Sequence, residues 1–439
     1  MSSPDEPRGT PAWVAALAVA GGAATVTVLS KLFVAWGRRP TTFEISDTPE
    51  AGSDEFLLGI SGTVNAPLQS GGTARLLNNG VEIFPAMLEA INGARRTINF
   101  MCYIWEPGTV SDRMFDALIA RQREGVQVRM MLDAFGAVLV PRDRVEELVE
   151  AGGSFQWFHA VEFGKLTSFY KRNHRRAIVI DGRIAFTGGA AVADKWLGDA
   201  EDEEHWRDMM VEVRGCLANN LQSAFTQLWA DTSGEILLGD DFYPRDFGAD
   251  DGGGEEVTRH VNVISSPAES SHPLRLFYSI SFACARERIW LTSPYFVPDP
   301  ATRRILRERA RAGVDVRLLL PGRLTDAAVV RWAGHAYYRE LLESGVRIFE
   351  YQRTMIHSKA LVIDGKWSVV GSANMDIRSK ELNQESVIGI MDRGFGKQLE
   401  DTFEDDLKEA KEITRDFWRT RGPFPKVRAL FWEAFAEQL

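Results

Sequence analysis

The sequence has few of the side chains that metal and redox centres need. Its 439 residues include only three cysteines and seven histidines. Cys102, Cys216 and Cys284 are widely spaced, so they fit neither a disulfide framework nor a metal-binding pattern, and we expect small buried thiols in a reducing compartment. No cluster of histidine, cysteine or aspartate has ligand spacing, so the sequence predicts neither a metal site nor a cofactor.

The sequence also lacks the motifs of two common enzyme classes and a positive net charge. It contains no G-x-S-x-G, which leaves serine-lipase chemistry without support. The glycines at 252–254 are not followed by lysine and serine, so they form no phosphate-binding loop. With 51 Lys and Arg against 61 Asp and Glu, the formal charge is −10. Broad nucleic-acid binding is therefore disfavoured, and any anionic membrane must be contacted through local basic patches.

One stretch, from His357 to Ser379, carries side chains suited to a phosphate ester. His357 and Lys359 are two residues apart, and side chains on a strand alternate, so both point to one face. Asp364-Gly365 is typical of a type I′ hairpin. The returning strand, expected over 367–370, would bring neutral hydrogen-bond donors back beside them: Gly371, Ser372 and Asn374. The set offers a nucleophile or acid, a fixed cation and neutral donors.

The chain contains a second copy of this stretch. His174, Arg176, the Asp181-Gly182 pair and the Gly188-Gly189 pair follow in the same register. The flanking sequence repeats as well: residues 94–98, 103–105 and 125–129 resemble 285–289, 295–297 and 313–317. Such self-similarity indicates two related units. With one histidine in each, we expect a pseudo-twofold pair facing one cleft.

The doubled H-x-K-x4-D-x6-G-[GS]-x-N pattern resembles the phospholipase D superfamily, and the flanking sequence is most similar to its bacterial cardiolipin synthase branch. The resemblance covers roughly residues 72–439. The first copy differs twice, with Arg176 where the family usually has lysine and Ala191 where it usually has asparagine. The resemblance implies an α/β fold of two phospholipase D-type α/β/α units that share one cleft.

The resemblance also implies roles for individual residues. His174 is expected to be the nucleophile and His357 the general acid and base, with Arg176 and Lys359 holding the phosphate oxygens. Glu385 falls where the family places an acid bonded to the second histidine, and Asp208 is its counterpart for His174. The implied catalytic set is His174, Arg176, Asp181, His357, Lys359 and Asp364, and the implied phosphate-binding set is Gly189, Ser372 and Asn374. Because Asp181 and Asp364 lie at strand ends beside a turn, we expect them to be structural.

The implied activity is that of a transphosphatidylase acting on phospholipids. One phosphatidylglycerol would give its phosphatidyl group to His174, and a second would accept it, with release of glycerol. The motif leaves open a hydrolytic phospholipase D, with water as acceptor, and another phosphodiesterase or a nuclease on the same fold. Arg176 and Ala191 also leave open a degenerate, non-catalytic lipid-binding scaffold.

The N-terminal segment has the length and composition of a membrane anchor. Residues 11–30 carry no charge, and the apolar sequence continues to Trp36, which suffices to cross about 30 Å of hydrocarbon. Trp13 and Trp36 lie near its ends, and Lys31, Arg38 and Arg39 follow it. The positive-inside rule then predicts a single-pass inner-membrane protein with cytoplasmic catalytic units. A cleaved signal peptide and a buried helix are the alternatives.

The composition divides the chain into five parts. They are an anchor with its flanks (1–40), a linker or loosely packed lead-in (41–71), a first unit (72–238), an acidic glycine-rich linker (239–256) and a second unit with a C-terminal helix (257–439, the helix over 425–439). Hydrophobic periodicity predicts helices over 81–91, 113–124, 142–151, 275–287 and 301–312, and strands over 97–105, 126–132, 289–295 and 314–320. The stretch 163–173 is either a loop packed on the sheet or an acyl-chain or headgroup contact.

Overall fold

The computed structural model describes residues 43–159, 172–247, 258–266, 272–420, 422, 431 and 432. The predicted anchor, the stretch 163–171, half of the predicted linker (248–256 of 239–256) and nearly all of the predicted C-terminal helix lie outside these residues. No helix in the described part of the chain is long and apolar enough to cross a membrane.

Strands and helices alternate through the described chain, as the hydrophobic periodicity predicts. The strands are β1 (Leu68–Ser70), β2 (Thr73–Asn78), β3 (Thr97–Cys102), β4 (Gln127–Asp133), β5 (Ser154–Phe158), β6 (Ala177–Ile180), β7 (Ile184–Gly188), β8 (Met209–Arg214), β9 (Arg259–Ser265), β10 (Arg288–Thr292), β11 (Phe296–Val297), β12 (Asp315–Pro321), β13 (Arg347–Tyr351), β14 (Ala360–Ile363), β15 (Trp367–Gly371), β16 (Met375–Asp376), β17 (Glu385–Met391) and β18 (Ala410–Ile413). The α-helices are α1 (Asp54–Val64), α2 (Asn79–Asn92), α3 (Thr109–Arg123), α4 (Arg142–Glu150), α5 (Ala218–Ser233), α6 (Pro273–Ala283), α7 (Pro300–Arg311), α8 (Ala328–Glu343), α9 (Ile377–Glu381), α10 (Arg393–Lys408) and α11 (Arg415–Thr420).

Two large sheets have the same strand order. The first runs β2-β8-β7-β6-β3-β4-β5, and the second runs β9-β17-β15-β14-β10-β12-β13 with β1 and β18 added at its edges. In both, three neighbouring strands are parallel and the rest are antiparallel. The parallel pairs are joined through helices, as crossover connections require. The prediction of two repeated α/β units is therefore confirmed.

The repeated sequence explains the repeated geometry locally. Helix α3 ends two residues before Gly125, and helix α7 ends two residues before Gly313. The φ angles of these glycines are +95° and +94°. Glycine ends a helix in this conformation without strain, and the buried strand β4 or β12 then begins two residues later. All six side chains of β3 are buried, because the sheet is covered on both faces.

Helix α1 lies inside the stretch that composition assigns to a linker. Ser53 caps it by accepting the amide of Phe56 at 3.1 Å. Phe56, Leu57 and Ile60 are buried, and the Phe56 ring meets the edge of Trp367 at 5.1 Å. The three apolar contacts fix the helix against the second sheet. Its short apolar pattern is flanked by serines and glycines, so the average composition of this stretch does not indicate a helix.

Candidate active site

Both motif hairpins form as the sequence predicts. Asp181 and Gly182 have φ angles of +53° and +64°, and Asp364 and Gly365 have +54° and +64°, as the two central residues of a type I′ turn require. β6 pairs with β7, and β14 pairs with β15, in antiparallel register. Each hairpin thereby returns the residues after its second strand to the side of its histidine.

The two histidines approach each other because the chain crosses between the sheets at two places. Asn173 forms a parallel bridge with Gln384, and Arg207 forms one with Ile356. The His174 amide donates to the Gln384 carbonyl at 2.9 Å, and the His357 amide donates to the Arg207 carbonyl at 2.7 Å. Each histidine-bearing segment is thus attached to the segment of the other unit that carries the acid.

Each acid consequently pairs with the histidine of the other unit. Asp208 Oδ2 lies 2.9 Å from Nδ1 of His357, and Glu385 Oε1 lies 3.5 Å from Nδ1 of His174. The family resemblance implied that Glu385 pairs with His357 and Asp208 with His174, and that pairing is wrong. Its physical cause is the crossed bridge: His174 follows the residue that pairs with Gln384, so the next side chain along that strand, Glu385, faces it. Asp208 is hydrogen-bonded to its histidine, whereas Glu385 lies beside His174 without a hydrogen bond between the two side chains.

The two acids differ in ionisation. Burial opposes the charge of Asp208, but hydrogen bonds from His357 and from the Trp196 indole at 2.9 Å hold its pKa below the usual value. Burial raises the pKa of Glu385 to about 8, although Ser372 Oγ donates to it at 2.5 Å. At neutral pH, His357 therefore has an ionised partner, whereas the partner of His174 is largely protonated.

Both imidazoles are neutral in the unliganded site. Burial, followed by the charges of Arg176 and Lys359, holds the pKa of His174 well below 6.5. Burial and Lys359 lower the pKa of His357 to about 4, against the opposing effect of Asp208. A bound phosphate would offset the two cations and favour a proton on the histidine that has the ionised partner.

Two buried cations occupy equivalent positions beside the histidines. Lys359 Nζ donates to the His357 carbonyl at 2.8 Å and lies 3.2 Å from each nitrogen of its ring. Arg176 Nη1 donates to the His174 carbonyl at 3.0 Å, and its Nε donates to the carbonyl of Ala190 at 3.0 Å. Arg176 therefore keeps the carbonyl contact that lysine makes in the second unit and adds another. Burial lowers the pKa of Lys359 to about 7.

The predicted phosphate-binding residues make other contacts in the structure. The Ser372 hydroxyl orients Glu385, as noted above. Asn374 Nδ2 donates to Ser379 at 3.3 Å, while its buried Oδ1 has no partner among the described residues. Gly189 is required by packing, since a Cβ at this position would lie 2.2 Å from Oδ1 of Asp208. Their contact with phosphate stays a prediction.

Asp181 and Asp364 do not join the catalytic cluster. Asp181 accepts the amides of Arg95, Arg96 and Thr97 at 2.7–2.9 Å. Asp364 likewise accepts three consecutive amides, those of residues 286–288, each at 2.8 Å. Both carboxylates hold the start of the neighbouring strand, β3 or β10. They lie at the turn end of their hairpins, away from the histidines, in the structural role that their position at a strand end predicts.

Asp181→Ala is expected to reduce the free energy of unfolding by about 2–3 kcal/mol, because it leaves backbone amides without their acceptor. Chemical denaturation monitored by circular dichroism measures this. Asp181→Asn retains one acceptor and the preference for positive φ, so it should lose less. A stable Asp181→Ala variant with strongly reduced kcat would instead give this residue a direct part in catalysis.

Aromatic rings that the sequence analysis did not select line the site. The Tyr103 ring lies 4.1 Å from the His174 ring, and Trp196 and Trp206 lie 5.6 and 5.5 Å from His357. Tyr295, the repeat counterpart of Tyr103, lies 6.2 Å from His357. The repeated position of the two tyrosines was a signal that could have found them.

The described residues include one group that could hold a metal ion, and it lies outside this cluster. Glu201, Asp202 and His205 bring three ligand atoms within 4.8 Å of one another. Their acids already serve local contacts: Asp202 accepts from the ring and amide of His205, and Glu201 accepts the amide of Asp199. The arrangement is that of a hydrogen-bonded acidic turn.

Comparison with known proteins gives the family. The domain described as "Cardiolipin synthase, PLD-like domain" matches residues 87–229 and 280–407, one segment for each histidine. The chain belongs to this family. Cardiolipin synthase 2 of Bacillus cereus is 34% identical over 362 residues, which cover 82% of this chain and 69% of that protein. Cardiolipin synthase A of Pseudomonas fluorescens is 35% identical over 354 residues, covering 80% and 71%.

Two solved structures have a similar fold. Phosphatidylserine synthase of Haemophilus influenzae superposes with a TM-score of 0.64 at 13% identity, covering 88% of this chain and 98% of that one. Polyphosphate kinase of Porphyromonas gingivalis gives a TM-score of 0.51 at 13% identity, covering 86% and 53%. At these identities the likeness shows the fold alone.

Proposed function

We propose that this member of the cardiolipin synthase family transfers a phosphatidyl group between two phosphatidylglycerol molecules. In the first step, neutral His174 Nε2 attacks phosphorus and the bond to the glycerol oxygen breaks. The protonated His357 gives its proton to that oxygen, and glycerol leaves. In the second step, His357 takes a proton from a hydroxyl of the acceptor, whose oxygen attacks phosphorus and breaks the bond to His174.

The different acids support this division of roles. A nucleophile must be unprotonated, and His174 lies beside Glu385, which is largely neutral and gives little support to an imidazolium. A general acid must carry a proton when substrate is bound, and His357 has the ionised Asp208 at 2.9 Å. Such a carboxylate fixes the tautomer of a histidine and stabilises its protonated form. The 2.9 Å hydrogen bond between Asp208 and His357, against the 3.5 Å separation of Glu385 from His174, is the observation that carries the proposal.

The two cations suit the charge that develops on the phosphoryl group. Arg176 and Lys359 are both buried and are held by carbonyls of the histidine-bearing segments. Fixed cations in a water-poor site stabilise charge that increases in the transition state. The departure from lysine at Arg176 retains this charge, which argues against a degenerate scaffold.

The names of the relatives support cardiolipin as the product, which two phosphatidylglycerol molecules would give as donor and acceptor. We also propose that the chain works at the inner membrane with cytoplasmic catalytic units, through the anchor predicted over residues 11–36. The uncharged length of that stretch and the basic residues after it support this location.

The test is incubation of the purified full chain with phosphatidylglycerol in mixed micelles, followed by mass spectrometry of the lipids and an assay for glycerol. Cardiolipin and glycerol in equal amounts are expected, and both should be lost in His174→Ala and in His357→Ala. Phosphatidic acid as the main product would reassign the enzyme as a hydrolase. No product, with phosphatidylethanolamine also tested as partner, would favour the scaffold.

A further inference from the structure

A short turn after β4 presents large apolar side chains to solvent. Within residues 134–140, which we call the apolar loop, Phe135, Val138 and Leu139 are 54%, 61% and 62% exposed. We infer that the apolar loop docks the catalytic cleft onto an anionic phospholipid bilayer and enters its interfacial region. This inference rests on the proposed function, since it concerns how the same site reaches its lipid substrate.

The apolar loop is ordered by hydrogen bonds. The Asp133 carboxylate accepts the amides of Phe135 and Gly136 at 2.9 and 3.1 Å, and its carbonyl accepts the amide of Ala137 at 3.0 Å. The same carboxylate accepts the amide of Asn173 at 2.9 Å. The exposed side chains are thus presented on a fixed turn that is attached to the segment leading into His174. A fixed turn loses little conformational freedom when it binds.

The apolar loop lies next to the histidine cluster. Gly136 packs so closely on Tyr103 that a Cβ would lie 2.4 Å from the Tyr103 carbonyl and 2.6 Å from its ring. The Tyr103 ring in turn lies 4.1 Å from the His174 ring, tilted by 39°. A lipid surface in contact with Val138 and Leu139 would therefore place phospholipid headgroups beside the reacting histidine. Large exposed apolar groups next to a lipid-processing site mark an interaction surface.

The border of the apolar loop suits an anionic membrane interface. Arg142, at the start of α4, stacks over the Trp157 ring at 4.2 Å and has no acidic partner among the described residues. The guanidinium of Arg172, 5.4 Å from the Phe135 ring, is buried and paired with Asp133 at 3.5 Å, so it supports the turn from beneath. Tryptophan and arginine are found where apolar and headgroup regions meet. The apolar tips and the exposed Arg142 beside Trp157 together resemble the membrane-facing side of an interfacial protein.

The equivalent loop of the second unit is polar. After β12 the chain continues through exposed Arg323 and Asp326, and Asp326 accepts the hydroxyl of Tyr295 at 2.7 Å. The pseudo-twofold repeat therefore has an apolar surface on one side of the cleft only. This asymmetry predicts that the first unit, and not the second, meets the bilayer.

The first experiment measures immersion depth by electron paramagnetic resonance. Full-length protein with Cys216→Ser and Val138→Cys, carrying a nitroxide label, is reconstituted in vesicles of phosphatidylglycerol and phosphatidylcholine. The label is expected to be accessible to oxygen and shielded from a polar nickel reagent, at a depth of about 5–10 Å. The matched control carries Ile236→Cys, because Ile236 is 69% exposed and lies elsewhere, two residues after the α5 C-cap Gly234. The control label should stay aqueous.

An equally aqueous label at both positions would overturn the inference. So would a Val138 label shielded from both reagents, which would indicate contact with a second copy of the chain. Because the experiment needs no turnover, a wild-type enzyme without synthase activity but with an immersed label would reject the proposed function and retain the docking surface.

The second experiment compares two forms of substrate. The Val138→Ser, Leu139→Ser double variant is expected to lose at least about tenfold more activity on phosphatidylglycerol vesicles than on a soluble short-chain phosphatidylglycerol, because only the vesicle requires docking. The Ile236→Ser, Leu238→Ser variant, which alters side chains that are 69% and 72% exposed, should show no such difference. An equal loss on both substrates would assign the loop to the chemistry or to folding.

Discussion

With a phosphatidyl ester of p-nitrophenol as substrate, His357→Ala is expected to form a stable phosphohistidine at His174, while His174→Ala forms none. An acidic phenol leaves as its anion and needs no proton from a general acid. The first step should therefore survive the loss of His357. With phosphatidylglycerol, whose leaving alkoxide must be protonated, the same variant should lose a factor on the order of 10²–10⁴ in rate.

The intermediate should persist in His357→Ala because the second step also needs that histidine. Without a base, the acceptor hydroxyl keeps its proton and attacks slowly. Rapid quenching at alkaline pH, followed by mass spectrometry of the peptide that contains His174, measures the covalent fraction. His205→Ala, which changes a half-buried histidine outside the site, is the control and should show the wild-type time course.

The opposite labelling pattern would reverse the two roles. If His174→Ala accumulated phosphate on His357, the histidine beside the ionised Asp208 would be the nucleophile. Absence of any covalent species, with steady release of p-nitrophenol, would instead indicate direct displacement by the acceptor.

The chemistry of each half-site could be read from the sequence because it is local. A histidine and a cation two residues apart, followed by a turn that requires positive φ, specify a hairpin and the face on which its side chains lie. The repeat then supplied the second half. Within the described residues, both units have the predicted strands and helices, with ends shifted by a few residues.

The assembly of the two halves could not be read in the same way. The crossed pairing of Asp208 and Glu385 depends on the bridges of Asn173 with Gln384 and of Arg207 with Ile356, between segments distant in the chain. No periodicity or turn signal reports such a contact. An analysis that treats each repeat as complete will therefore pair each acid within its own unit.

The structure also shows a substitute for the asparagine that the family usually has at the position of Ala191. In the second unit, Asn374 donates to Ser379, which supports Glu385. In the first unit, the Trp196 indole donates directly to Asp208 at 2.9 Å. Support for the acid therefore comes from a different side chain, and the missing asparagine does not leave Asp208 without a donor.

At pH 7, Asp208→Asn is expected to reduce kcat by a factor on the order of 10³, whereas Glu385→Gln should lose less than about tenfold. Both substitutions replace a carboxyl by an amide of nearly the same shape. They differ in what they remove. Asp208→Asn removes a full negative charge from beside His357. Glu385→Gln removes little charge, because the amide resembles the protonated carboxyl that burial produces at this position.

Steady-state kinetics on phosphatidylglycerol micelles would separate the two effects. Asp208→Asn should act mainly on kcat, because His357 transfers its proton in the transition state. It should also lower the pKa of His357 further, measured by NMR of the imidazole, since Asp208 is the group that raises that pKa. Glu385→Gln should leave the His357 resonance close to its wild-type position.

The critical quantity is the difference between the losses of kcat in the two variants. If burial keeps Glu385 protonated at pH 7, this difference should become smaller above pH 8. There wild-type Glu385 ionises, and the glutamine no longer resembles it. Equal losses at pH 7 would mean that both acids are ionised, and the division into nucleophile and proton carrier would then need another cause. A larger loss in Glu385→Gln would move the proton-carrying role to His174, because the histidine that handles the proton depends most on its ionised partner.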